Sequence, residues 1–217
     1  MGAIARNIAN KITTSGVFTS GAIANTSVTG ITVLANASDG ITFISSQTAS
    51  NSASLSFTSG LTSTYKAYKF VFKDIHPRTD NVQFQFNLST DSGSNYNVTK
   101  TTTVFYHNHS ENDSEAEIGY DSNGDLAQST GFQTLTSSAG IANDADSAVS
   151  GSMTLFNPSS TTYVKHFISS VDMMFSGDRA WNTLVAGYGN TTSAVNAIQF
   201  KMSSGNIDGT IYLYGIK

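Results

Sequence analysis

Apolar and polar side chains that alternate every second residue dictate a strand, because only an extended chain turns successive side chains to opposite faces. Val82-Gln-Phe84-Gln-Phe86-Asn-Leu88 sets four apolar side chains on one face and three amides on the other. Ile198-Gln-Phe200-Lys-Met202 and Met153-Thr-Leu155 repeat the pattern, and Tyr68, Phe70 and Phe72 alternate with Lys69, Val71 and Lys73. Ile211-Tyr-Leu213-Tyr-Gly-Ile216 is aromatic or β-branched nearly throughout, as in a strand covered on both faces. Further candidate strands are 30–34, 41–45, 53–58, 96–106, 132–135, 163–175 and 183–187. Turn clusters such as Asp91-Ser-Gly-Ser-Asn and Ser203-Ser-Gly-Asn separate them, giving about ten to twelve short strands. The expected fold is all-β: an antiparallel β-sandwich, jelly-roll-like, with an extended N-terminal arm containing a short helix.

That helix is expected from Ile4, Ile8 and Ile12, which fall at i, i+4, i+8 and make one narrow apolar stripe. So short a segment is marginal alone in water, so it docks either on its own domain or as an assembly arm on a neighbouring subunit. Residues 13–62 are rich in Ser, Thr, Ala, Gly and Asn, and Asp39 is the only charged residue between Lys11 and Lys66. Charge keeps strand edges from pairing with other chains, so this stretch suits strands shared between chains, or a plain low-charge sheet. The organisation that follows is an attachment segment over residues 1–50 and a sandwich domain over 51–217.

Composition removes several classes of function. Charged residues are 12% of the 217, and the net charge is −4, which lacks the basic footprint that phosphate binding needs. No nucleic-acid partner is expected. No apolar run is long enough to insert in a membrane as a helix, and Met1-Gly-Ala-Ile-Ala-Arg-Asn is too polar for a signal-peptide core. The absence of Cys excludes disulfides, thiolate metal sites and thiol nucleophiles. Between Thr101 and Val164 there is no Lys or Arg, while Glu111, Asp113, Glu115, Glu117, Asp121, Asp125, Asp144 and Asp146 lie there. This reads as an acidic loop region at one end of the sandwich.

Chemical motifs are sparse. His107, His109, Glu111 and Asp113 would share one face if the strand ran through them, a donor set that suits zinc, manganese or iron. The run is similar to the His-x-His start of cupins, but the spacing to a following Glu fails and no second cupin motif follows. Solvated loop histidines are the plainer reading, so no metal and no cofactor is expected. Asp121-Ser-Asn123-Gly-Asp125 begins like a calcium loop, but its Gly is one place early and its twelfth position is Phe132. His76 before Pro77 reads as a turn, and His166 as part of an apolar strand, in the core or at its rim. No nucleophile elbow or phosphate loop occurs, so no catalytic residue is nominated. Trp181 and Tyr188 are candidate glycan contacts, against the usual role of aromatics in packing.

The stretch 155–167 (Leu-Phe-Asn-Pro-Ser-Ser-Thr-Thr-Tyr-Val-Lys-His-Phe) and the closing Ser204-Gly-Asn-Ile207 with Gly209-Thr-Ile-Tyr-Leu-Tyr-Gly-Ile216 resemble the end of β-rich virion structural proteins of tailed bacteriophages, especially phages of marine bacteria. Residues 54–75 are similar to the same group, and Ala5-Arg6-Asn-Ile-Ala9-Asn to the start of some fibre-like phage proteins. The resemblance carries no active-site motif. It implies a non-enzymatic virion part, a tail-fibre or appendage subunit or a capsid-decoration protein, assembled in the bacterial cytoplasm. A homo-oligomer, expected to be a trimer, would hold other virion proteins through residues 1–50 and could meet host-surface glycans. A carbohydrate-recognition module is the alternative, and a metal-dependent cupin-like enzyme the more distant one.

Overall fold

The computed structural model describes residues 40–217. Twelve strands and no helix are present among them. They are β1 (Ile41–Ser52), β2 (Leu55–Phe57), β3 (Ala67–Pro77), β4 (Phe84–Ser89), β5 (Lys100–Ser110), β6 (Ala116–Tyr120), β7 (Gln133–Thr134), β8 (Val149–Phe156), β9 (Lys165–Phe175), β10 (Arg179–Gly189), β11 (Ala197–Met202) and β12 (Ile207–Ile216). Eight of them form a sheet in the order β1-β12-β3-β8-β9-β10-β5-β6, and four form a second in the order β2-β11-β4-β7. Every strand pair is antiparallel.

Alternation explains how the sheets stack. Phe70 and Phe72 of β3 and Phe167 of β9 point from the large sheet into the core, where they meet Phe57, Phe84, Phe86 and Phe200 of the small sheet. Phe200 is the hub: its ring lies 5.3–6.4 Å from those of Phe57, Phe70, Phe72, Phe84 and Phe86. Burying each such ring contributes about 1.5–3 kcal/mol, and edge-to-face geometry adds to it. The β-sandwich expected from the sequence is what these packed faces make.

The small sheet turns Ser56, Gln85, Gln199 and Lys201 outward, the polar complement of its core-facing positions. Asn87, expected with those outward amides, is fully buried instead. Residues 41–50, placed by sequence in the arm, form most of β1 and pair with β12 along one edge of the large sheet. Ile4, Ile8 and Ile12, the helix they suggested and the strand at 30–34 lie outside the described residues. β12 is half-buried rather than sealed on its outward side. His76 sits inside β3 opposite Asp208 rather than at a turn, its Nδ1 2.7 Å from the Ser147 carbonyl. The edge strand β6 was not anticipated.

Candidate interaction surfaces

The histidine–carboxylate run does not assemble. β5 ends at Ser110, and Asp113 takes a left-handed φ of 60° as the chain turns back toward β6. His107 and His109 are exposed on the outward face of the strand, whereas Glu111 and Asp113 belong to the turn. Only His109 and Asp113 come together, Nε2 to Oδ1 at 3.0 Å in open solvent. Among the described residues no three His, Asp or Glu side chains are grouped to hold a metal ion.

Asp121 is a staple, not a free ligand. Its Oδ1 accepts hydrogen bonds from the Asn123 and Gly124 amides and the Ser138 hydroxyl, and its Oδ2 accepts from the Ser138 amide. With its lone pairs committed, the carboxylate ties the 121–124 turn to the 137–140 loop. A shallow polar cleft opens beside that tie, lined by Asn81, Tyr106, Asn123, Ser138, Phe175 and Trp181. Its walls are firm: a Cβ on Gly140 would lie 2.6 Å from the Asn81 Cα.

Trp181 enters this cleft by its edge alone. The residue is 8% exposed, its ring stacked on Tyr106 at 4.7 Å and flanked by Phe175 at 5.2 Å. Its Nε1, both amide atoms of Asn108 and the Thr183 hydroxyl are buried without a hydrogen-bond partner among the described residues. Tyr188, seven residues along the same strand, points to the opposite face and packs against His166 at 6.0 Å. The two nominated glycan contacts therefore cannot touch one sugar. His166, expected in the core or at its rim, is exposed on that outward face.

Two lysines sit where a sequence reading would not place them. Lys100 and Lys165 are both fully buried and flank Gly189 of β10 from either side. The Lys100 Nζ donates to Asn87 Oδ1 at 2.5 Å and to the Val98 carbonyl at 2.8 Å. Lys165 donates to the Tyr163 and Thr191 carbonyls. None of these acceptors is a carboxylate, so burial alone pushes the Lys100 ammonium down to about 7 and lowers Lys165 as well. Sealed from solvent, neither amine can reach a substrate.

The outward face of the eight-stranded sheet is a further surface feature. Ile41 and Phe43 on β1, Phe156 on β8, Ile168 on β9, Leu184 on β10, Phe105 on β5, and Ile118 and Tyr120 on β6 are all exposed there, Ile118 by 80% and Ile168 by 55%. Cross-strand register puts them on one side: Phe43 faces Tyr214, Thr154 faces Ile168, Ile168 faces Ala186, Leu184 faces Phe105 and Phe105 faces Tyr120. Of the large apolar side chains exposed among the described residues, Tyr163 alone lies off the strands. The sequence held a signal for this face in the neighbours Phe167-Ile168 and Leu184-Val185, which are apolar at both parities of one strand. Compared with protein-family models, with curated proteins and with solved structures, the chain finds no match.

Proposed function

We propose that the chain is a non-enzymatic structural subunit of a bacteriophage virion, a tail-fibre or appendage part or a capsid-decoration protein, that works as a homo-oligomer. The jelly-roll variant of the sandwich, the arm helix over Ile4–Ile12 and attachment through the N-terminal residues belong to the same reading. One observation carries it: the broad sheet turns eight large apolar side chains to the surface among Ser, Thr and His with few charges, while the small sheet turns amides outward. A monomer seldom leaves such a patch in water, whereas a subunit has neighbours to cover it. The resemblance of residues 54–75 and of the closing strands to virion proteins supports the same conclusion. The test is to purify particles from a lysate of the host that carries the gene and locate the protein by peptide mass spectrometry and cryo-EM. Stoichiometric copies on the particle surface are expected, and particles without the protein sink the proposal.

A second reading, a carbohydrate-recognition module, draws on the cleft beside Asp121. There the polar side chains of Asn81, Asn123 and Ser138 border the rings of Tyr106 and Trp181, a mixture suited to a hydroxylated ligand. Glycan-array binding abolished by Asn123→Ala would favour it, and no binding at millimolar sugar would remove it.

A further inference from the structure

We propose, building on the assembly reading, that the outward face of the eight-stranded sheet is where a second copy of this chain docks, two sheets meeting face to face. Its size is right. Seven spacings of about 4.8 Å across strands of about 35 Å give on the order of 1,000 Å², against the roughly 800 Å² per partner of a stable interface.

Its chemistry suits an identical partner. Across a two-fold axis each side chain meets the neighbourhood of its own copy, so like charges near the axis would repel. At their middles the central strands carry Ser152 and Thr154, Ile168 and Ser170, and Leu184 and Ala186 on this face, all neutral, with Asp172 farther along β9. The charged strand residues at this face include Lys69 and Lys73 on β3, Lys73 already paired with Asp74 at 3.5 Å, and Asp172 on β9. An axis parallel to the strands and between β8 and β9 lays β3 of one copy over β10 of the other. Asp172 borders the axis, so its two copies lie as near each other as each lies to the Lys73 of the other copy, which stands at nearly the same level and offsets their repulsion.

Relief agrees with this. Phe43, Tyr212 and Tyr214 stand tall on β1 and β12, while Thr101, Thr103, Ala186 and Gly187 leave a groove of about 500 Å³ beside Ile168 and Tyr188. The same axis sets β12 of one copy over β5 of the other, and Tyr214 is level with Thr103 through the register of the intervening strands. Tall side chains then face the groove, twice.

Because the chain has no cysteine, a single introduced thiol reports on the face cleanly. Full-length protein is run in sedimentation velocity from about 1 to about 100 µM, alone and as Ile168→Lys and Leu184→Lys. The Ser170→Cys variant is treated with a short bismaleimide. Circular dichroism melts of the lysine variants, which change exposed positions, check that the fold is kept. Expected are a dimer or an even-numbered closed oligomer, at least about tenfold weaker association in both lysine variants at unchanged secondary structure, and covalent dimers of the Ser170→Cys variant. Overturning results are a monomer throughout, or an oligomer indifferent to both lysines. A monomer whose introduced thiol is shielded from maleimide would assign the cover to another segment of the same chain and overturn the inference too. If that thiol, on intact particles, cross-links only to a different virion protein, self-docking is overturned while the virion reading stands.

Discussion

An amine shut away from water and offered only neutral oxygens holds its proton weakly. For Lys100 the folded pKa is about 7 against 10.5 in an open chain, so between those values the unfolded chain carries a proton that the folded chain has released. Stability must therefore rise with pH across that window, with the penalty fully developed below pH 7. Calorimetric melting from pH 6 to 10 should show that rise, and Lys100→Met should flatten it whatever it does to the absolute melting temperature. Equal slopes would mean that Lys100 stays charged in the fold. Asp121 is the opposite case, a carboxylate fully supplied with donors from two loops. Asp121→Ala leaves the buried Gly124 amide and the Ser138 amide without this acceptor and should cost about 1.5–3 kcal/mol in urea unfolding. Both roles escape a reading by residue type. Lys100 follows a stretch of loop polar residues, and Asp121 opens what looks like half a calcium site. Their meaning comes from residues 13 and 17 positions away.

Among the elements, those with strict alternation were legible and those held only by their neighbours were not. β4 and β11 alternate cleanly, and the rings they send inward form the aromatic cluster around Phe200. Phe200→Ala should cost about 3–5 kcal/mol in urea unfolding because five rings lose their common neighbour, and a change below about 1 kcal/mol would mean that the cluster repacks. β6, in contrast, spells Ala-Glu-Ile-Gly-Tyr within the acidic stretch, with weak strand propensity and no buried side chain. It exists because β5 offers it an unpaired edge from Phe105 to His109. Trp181 misled for a related reason. A lone Trp on a strand suggests a platform, but parity along β10 turns it inward beside Tyr106 while Tyr188 turns outward. Parity was readable; which parity faced the core depended on the second sheet.

At the scale of the whole molecule, the two sheets differ in what they ask of their surroundings. Self-association through the broad face depends on apolar area rather than on charge. Raising sodium chloride from about 0.05 to about 0.5 M should change the dissociation constant by only a few-fold, while sodium sulfate should tighten it and cooling should loosen it. Steep weakening in sodium chloride would mean that charge, not the apolar face, holds the copies. The opposed character of the sheets also gives the domain a heading. Laid against any support by its water-shunning side, it cannot lie the other way up. Visitors then always meet Ser56, Gln85, Gln199 and Lys201 first: a hydrated coat with scarcely any net pull on ions.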